Sequence, residues 1–420
     1  MDCLVIKGGT PLKGEVRISG AKNAALPLMA ATLLTKEECV LRNLPDLSDV
    51  RFMARILKSL GAEVQMNRGT LRVRAANIEG YGDYDLIRKM RGSICILGPL
   101  MGRLNKAKVS MPGGCVIGAR PIDLHLKGMR DLGASVRIEA GYVHARAKRL
   151  TGGECFLGGR CGPTVLGTAN VMMAATLANG TTVIQSAACE PEITDLATFL
   201  NTMGAKISGA GSPTITIHGV RRLQGAEHRV IPDRIEAATY ALAGAVTGGD
   251  LTLRHCQPGD LSAVLEKMRE AGVRLDTGRN SLRVRTTKQL NSVDITTMPH
   301  AGFPTDVQAQ MMVLMLQSPG ISIITERIFE SRFMHVNELA RMGADISIEG
   351  PSAIVKGGQP LSGADVMASD LRASAALVLA GLAARGTTRV NRVYHIDRGY
   401  ENIDGKLRAL GANISREPGQ

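Results

Sequence analysis

Asp195-Leu196-Ala197-Thr198-Phe199-Leu200-Asn201-Thr202-Met203-Gly204-Ala205-Lys206-Ile207-Ser208 reads as three consecutive instructions. Leu196, Phe199, Leu200 and Met203 fall three and four residues apart, the period of one helix face. Gly204 then stops the helix, because glycine enters the left-handed conformation of a C-cap at no steric cost. A short strand follows at 205–208, and Thr214-Ile215-Thr216-Ile217 forms a second strand beyond a Gly/Ser/Pro turn.

The tripeptide in the middle of this stretch keeps returning. Leu60-Gly61-Ala62, Leu132-Gly133-Ala134, Met203-Gly204-Ala205, Ala271-Gly272-Val273, Met342-Gly343-Ala344 and Leu410-Gly411-Ala412 recur about every 70 residues. Each copy also carries a more apolar helix, at 24–34, 95–104, 170–178, 237–246, 306–316 and 371–384. These segments are apolar nearly all round, which predicts burial. A turn and a β-rich segment close each unit, as in Gly180-Thr181-Thr182-Val183-Ile184. Six αβ units that each bury one helix imply helices inside and sheets outside. Six units exceed one core of about 250 residues, so two lobes of three are expected. The second set begins where Ile231-Pro232-Asp233 reads as a turn. One lobe is placed at 22–231 and the other at 1–21 plus 232–420. The first residues contain a strand (Val5-Ile6-Lys7) without a helix of their own and complete the second lobe.

Composition agrees with this frame and narrows the function. The 420 residues are 44% hydrophobic and 21% charged, which excludes a disordered chain. Only 3% are aromatic, none is Trp, and 48 are Gly, so the cores are aliphatic and the chain turns often. The net charge of +13 calls for an anionic partner: nucleic acid, a membrane surface or a phosphorylated small molecule. The most apolar stretches are shorter than a span and carry polar residues, so membrane insertion is not expected. Met1-Asp2-Cys3-Leu4 shows neither a basic n-region nor a cleavage site. Eight scattered Cys without a Cys-x-x-Cys pair argue for reduced, cytoplasmic thiols, and no His pair has metal-ligand spacing. No metal or cofactor is expected.

Function is sought where the repeat is broken. Met111-Pro112-Gly113-Gly114-Cys115-Val116-Ile117-Gly118-Ala119-Arg120-Pro121-Ile122-Asp123 joins a strand to a helix with three glycines, a thiol and an arginine. Glycine lets backbone approach a ligand closely, and a nearby cation favours thiolate. Ser19-Gly20-Ala21-Lys22-Asn23-Ala24, Met90-Arg91-Gly92-Ser93, Phe303-Pro304-Thr305-Asp306, Arg332-Phe333-Met334-His335, Asp370-Leu371-Arg372 and Asp397-Arg398-Gly399-Tyr400 also depart from the repeat. Several of these set charge at the start of a buried helix. Helix capping accounts for Thr305 and Asp306. It does not account for Lys22, Arg91 or Arg372, since cations are disfavoured at the positive end of a helix dipole; a bound anion reconciles them.

Together these segments resemble the enolpyruvyl transferase (EPSP synthase) family over essentially the whole chain. The most specific match is Pro112-Gly113-Gly114-Cys115-x-Ile117-Gly118-x-Arg120-Pro121-x-Asp123-Leu124-His125, with Ser19 to Ala24, Phe303 to Asp306 and Phe329-Glu330-Ser331-Arg332-Phe333-Met334-His335 in support. The resemblance implies an α/β (α+β) fold of six βαβαββ repeats, three per lobe, in a two-lobed inside-out α/β barrel with the active site in the cleft between the lobes. It implies transfer of the enolpyruvyl group of phosphoenolpyruvate to the 3-hydroxyl of UDP-N-acetylglucosamine, with loss of phosphate, in the cytoplasm and as the first committed step of peptidoglycan synthesis.

The resemblance also implies roles. Cys115 is the proton donor and can form a covalent adduct with phosphoenolpyruvate; Asp306 is the general base. Lys22, Arg120 and Arg398 hold the phosphate, Arg372 faces the carboxylate, and Asn23 belongs to the same subsite. Asn23, Arg91, Arg120, Pro121, Ile122, Asp123, Leu124, Asp306, Ile328 and Arg332 match positions at the UDP-sugar. The family often has a Lys-x-Ser-Val-Gly segment at the diphosphate, whereas this chain reads Arg160-Cys161-Gly162-Pro163-Thr164-Val165-Leu166-Gly167. Arg160 stands for the lysine and Thr164 for the serine, followed by Val165. The partners implied are the two small-molecule substrates, with no nucleic acid and a monomeric chain. The sister branch, which uses shikimate 3-phosphate, shares the architecture; the Cys115 loop favours the UDP-sugar branch. A basic repeat-built clamp for nucleic acid would use the charge, but few aromatics are available for base stacking.

Overall fold

A computed structural model of the chain describes residues 2–82, 86, 90–111, 122–286 and 289–418. These fall into two compact units: residues 20–231, the first unit, and residues 2–19 with 232–418, the second.

The repeat grammar translates directly into backbone. Helix Pro191–Thr202 ends at Gly204, whose φ is +100°. The amides of Gly204 and Ala205 turn back to the carbonyls of Asn201 and Leu200 at 2.9 and 3.0 Å. This double bond satisfies carbonyls that the last turn leaves open. The other five glycines of the repeated tripeptide also have φ between +85° and +95°. At such φ any other residue would be strained.

One repeat defines the sheet topology. Glu154–Phe156 runs parallel to Thr181–Gln185, which pairs antiparallel with Thr214–His218, itself antiparallel to Lys206–Ser208. Helix Val165–Ala175 connects the first two strands and Pro191–Thr202 leads to the third. The result is a βαβαββ unit with spatial order 1-2-4-3. Among the described residues six four-stranded sheets share this order, three in each unit.

Three of the sheets borrow a strand from far away in sequence. Asp2–Lys7 inserts between Thr387–Asn391 and Asn413–Pro418, with Leu4 opposite Val390 and Arg416. It takes the fourth-strand place of the last repeat. Lys13–Arg17 pairs parallel with Asp250–Arg254, and Glu227–Arg229 pairs parallel with Glu38–Arg42. Each repeat that opens a unit therefore receives its first strand from a remote segment.

The buried helices are Lys22–Ala31, Leu97–Leu104 and Val165–Ala175 in the first unit, and Arg234–Val246, Gln308–Gln317 and Leu371–Ala383 in the second. Five begin or end two or more residues away from the sequence reading. Thr32–Leu34 and Arg91–Ile96 tighten into 3-10 turns beside their helices. The third helix starts at Val165 because Thr164 caps it, its Oγ1 accepting from the Gly167 amide at 3.2 Å.

Small residues set how closely the helices approach. A Cβ at Gly98 would lie 2.3 Å from the Asn170 carbonyl oxygen, and one at Gly102 would lie 3.2 Å from Ala174 Cα. The aliphatic cores form one cluster per unit. Aromatic rings are too large for helices packed at this distance, which explains their scarcity.

Candidate active site

Lys22 opens the first helix of the first unit. Its N-cap residue, Ala21, provides no side-chain hydrogen bond. The expectation that the Lys22 charge needs an anionic ligand is corrected in part: Nζ lies 2.8 Å from Asp49 Oδ2, and both side chains are buried. A buried charge requires such a partner. Asn23, one residue on, is exposed.

Arg91 is half-buried at the start of the 3-10 turn Arg91–Ile96. Gly92 in that turn packs on Leu26, where a Cβ would come within 2.8 Å of Cδ1. The turn is therefore seated on the Lys22 helix. Helix Asp123–Asp131 begins with exposed Asp123 and half-buried Leu124, after buried Ile122. Leu124 Cδ1 is 3.1 Å from where a Gly159 Cβ would stand. That places the hairpin Gly158–Gly159/Gly162–Pro163, with exposed Arg160 at its turn, against the start of this helix. Thr164 and Val165 follow; the Thr164 hydroxyl is engaged as the helix cap.

Asn170 ties these pieces together and was not singled out as a site residue by sequence. Its Oδ1 accepts from the Gly98 amide at 2.7 Å, and its Nδ2 reaches the Ile94 carbonyl at 3.0 Å and His125 Nδ1 at 2.8 Å. With both Nδ2 hydrogens donated, His125 Nδ1 is the acceptor and the ring is neutral. Burial, and secondarily the Arg91 charge, push His125 down to about 4. The only hint in sequence was one amide within an otherwise apolar helix.

The second unit holds the acidic group. Capping does not explain Thr305 and Asp306 as expected, because the N-cap positions here are held by Pro304 and Val307. Arg332 instead donates to Asp306 Oδ1 at 2.8 Å and to Thr305 Oγ1 at 2.9 Å. Arg372 Nε donates to Asp306 Oδ2 at 3.3 Å. Thr305 in turn donates to Glu326 Oε2 at 2.8 Å. Glu326 is fully buried, and its Oε1 accepts from Thr297 Oγ1 at 2.7 Å and from the amides of Ile328 and Phe329 at 2.8 and 3.0 Å. One carboxylate thus fixes both the Ile328 segment and the Thr305–Arg332–Asp306 chain. Glu326 was missed in sequence, since a strand-ending Glu carries no local mark of burial.

Arg372 is 2% exposed, near the start of helix Leu371–Ala383, which Asp370 caps by accepting from the Arg372 and Ala373 amides. Its guanidinium carbon lies 5.2 Å from the Tyr400 ring centroid. Its two terminal nitrogens are buried and have no hydrogen-bond partner among the described residues. Buried guanidinium nitrogens are costly to leave unpaired. Arg398 is half-buried at the end of turn Val393–Arg398, close enough to His395 to help hold that ring neutral after burial.

Cys115, Arg120 and Pro121 lie outside the described residues. Four other thiols are buried and pushed up chiefly by burial, Cys39 and Cys256 to about 11, Cys95 and Cys155 to about 12. They have no thiolate character at neutral pH. Cys161 is exposed. Among the described residues no group of three or more His, Cys, Asp or Glu side chains could hold a metal ion, and no helix is long and apolar enough to cross a membrane.

Comparison with known proteins bears on these clusters. The family model "EPSP synthase (3-phosphoshikimate 1-carboxyvinyltransferase)" matches residues 6–407. The chain is 54% identical over 416 residues to the UDP-N-acetylglucosamine 1-carboxyvinyltransferase of Methylacidiphilum infernorum, covering 99% of both chains. It is 53% identical over 420 residues to the protein of the same name from Coxiella burnetii, covering 99% and 96%. Among solved structures, the enolpyruvyl transferase NikO from Streptomyces tendae superposes with a TM-score of 0.89 at 28% identity, covering 99% and 98% of the two chains. An EPSP synthase from Acinetobacter baumannii gives 0.75 at 16% identity over the whole of both chains, a likeness of fold alone.

Proposed function

The chain belongs to the EPSP synthase family of enolpyruvyl transferases, and we propose that the clusters around Lys22 and Asp306 serve one reaction on phosphoenolpyruvate and UDP-N-acetylglucosamine. The enzyme is a UDP-N-acetylglucosamine 1-carboxyvinyltransferase in class, and its product feeds the peptidoglycan of the cell wall. It acts as a cytoplasmic monomer.

The reaction is addition followed by elimination. A proton from the Cys115 thiol adds to the methylene carbon of phosphoenolpyruvate, which leaves the central carbon electrophilic. The sugar 3-hydroxyl oxygen bonds to that carbon while Asp306 accepts the hydroxyl proton. The resulting ketal loses a proton from the new methyl group and expels phosphate, and the enol ether remains. Lys22, Arg120 and Arg398 hold the phosphate and Asn23 borders it. Arg91, Ile122 to Leu124, Arg160 and the start of the Val165 helix line the nucleotide-sugar subsite with Pro121. Ile328 and Arg332 are assigned to nucleotide-sugar contacts as well.

The observation that carries this reading is Arg372. Two buried guanidinium nitrogens without acceptors among the described residues, beside an arginine-bound aspartate, suit a planar carboxylate that accepts two parallel hydrogen bonds. The carboxylate of phosphoenolpyruvate has that shape. Asp306 accepts from both Arg332 and Arg372, which fixes its carboxylate in place for that role. Phosphate release from phosphoenolpyruvate tests the proposal. Release dependent on UDP-N-acetylglucosamine and absent with shikimate 3-phosphate is expected; release with neither acceptor, or only with the latter, overturns it.

A further inference from the structure

Away from these clusters, one sheet face of the first unit gathers cations and aromatic rings. On the solvent faces of the sheets at Glu38–Arg42 and Asp250–Arg254 several arginines have carboxylate partners, although Arg274 also stands opposite Arg285 and Arg17 opposite Arg254. Arg72 pairs with Glu38 at 2.8 Å, Arg254 with Glu15 at 2.6 Å, Arg283 with Asp250 at 2.8 Å, and Arg42 with Glu227. In the sheet built on Lys106–Ser110 and Tyr142–Arg146 that compensation is missing. Lys106 stands directly opposite Arg146, and Lys108 opposite His144. Neither Lys106 nor Arg146 has a carboxylate partner among the described residues. Like charges facing each other across strands destabilise a sheet. Glu139, on the neighbouring strand, pairs with Arg137 at 3.4 Å instead.

The same face carries aromatic rings in a chain that has few. Tyr81, opposite Lys108 on the adjoining strand, stacks on Tyr142 with centroids 6.1 Å apart and planes 27° apart. Lys108 Nζ lies 5.3 and 4.7 Å from the two ring centroids and holds them in place. Tyr81 remains 44% exposed. An open groove of about 550 Å³ runs beside it, lined by Lys106, Lys108, Arg146, His144 and one carboxylate, Glu79, with Ile78 and Leu104 giving it apolar surface. That volume is in the range of small-ligand sites.

We infer that this groove binds a nucleotide, either free or as a unit of a single strand. The base stacks on Tyr81 and the phosphate lies on Lys106 and Arg146. A simple anion would satisfy the cations but not use the rings, and an apolar ligand would leave the facing cations uncompensated. Planar ring and phosphate together answer both features. The sequence argued against nucleic acid because aromatics are rare, but the fold gathers two of the six tyrosines onto this cationic face.

The test is a titration of full-length protein in saturating UDP-N-acetylglucosamine, so that the substrate subsite is filled. The probes are inorganic phosphate, AMP, UMP and a fluorescein-labelled 12-nucleotide single strand, at two salt concentrations. The wild type is expected to bind a nucleotide probe at least tenfold more tightly than inorganic phosphate. Tyr81→Ala and the double variant Lys106→Gln/Arg146→Gln are expected to lose at least tenfold, with kcat and KM for phosphate release within twofold of wild type. The melting temperature of the double variant should not fall, because repulsion is removed. A strand that binds more tightly than AMP, with a salt slope reduced by about 1.4 in the double variant, assigns the site to single strands. Equal binding of AMP and the strand assigns it to the free nucleotide. Binding of phosphate as tight as that of AMP, no binding by the wild type, or wild-type binding by Tyr81→Ala overturns the inference.

Discussion

Lys22 and Arg372 each sit in the first turn of a buried helix, one in each unit. Their surroundings differ. Lys22 is a point charge matched by Asp49 at 2.8 Å. Arg372 shares Asp306 with Arg332 and keeps two buried nitrogens without acceptors among the described residues. Each unit thus sets a cation at the start of a buried helix, and Arg372 keeps hydrogen-bonding capacity over among the described residues. Loss of Lys22 should therefore show in stability as well as turnover, whereas loss of Arg372 should show mainly in turnover.

The largest expected effect is on Arg372→Gln. Two charge-assisted hydrogen bonds are removed, so kcat/KM for phosphate release should fall about a thousandfold, roughly 4 kcal/mol. Arg372→Lys should fail to restore it, because a single ammonium cannot reproduce the planar fork. The melting temperature should hardly change, since Arg332 remains on Asp306; a drop matching the activity loss would erase the contrast.

Next, Lys22→Met strips Asp49 of this buried cation and should cost about 3 kcal/mol in urea unfolding. Lys22→Met/Asp49→Asn should recover most of that stability and none of the activity. If the double variant is no more stable than the single one, the pair does not hold the helix start.

Gly98→Ala tests the close packing of the first unit. The added methyl meets the Asn170 carbonyl and should cost about 2 kcal/mol. Helix Gln308–Gln317 of the second unit contains no glycine and packs through Met311, Met312 and Met315, so Met312→Leu should be nearly neutral by the same measurement.

The smallest effect per step is in pH. His125 in one unit and His335 in the other are both buried and pushed down to about 4, chiefly by burial. Between about pH 6.5 and 4 the unfolded chain binds these protons and the folded chain does not. Stability therefore falls with pH across that window, by up to about 1.4 kcal/mol per unit for each ring. Urea midpoints at pH 7 and 5 should show the loss, and His125→Gln should remove about half of the histidine share. A flat profile would mean that neither ring is held neutral.

Much of the architecture was legible because it is written in local chemistry. Glycine after an amphipathic run specifies its own cap, and an all-round apolar segment specifies burial, so six units could be counted before any contact was known. The strand at Val5-Ile6-Lys7 was recognisable as one without a helix, and its place beside Val390 answers that lack. Helix starts were less legible where a 3-10 turn or the Thr164 cap intervened. Much of the site was illegible by residue physics alone, and the family resemblance supplied those roles. Asp49, Asn170 and Glu326 look like ordinary polar residues until the fold buries them. Thr305 and Asp306 looked like caps because sequence shows only neighbours along the chain.

The sequence by itself determined the repeat, its count, the buried helices and the kind of chemistry, since these follow from periodicity, backbone preference and residue type. Tertiary structure alone decided which charges meet. Asp306 and Arg372 are 66 residues apart, and Gly98 and Asn170 are 72 apart. Electrostatic and hydrogen-bond energies depend on distances in space, and a linear order carries none of them.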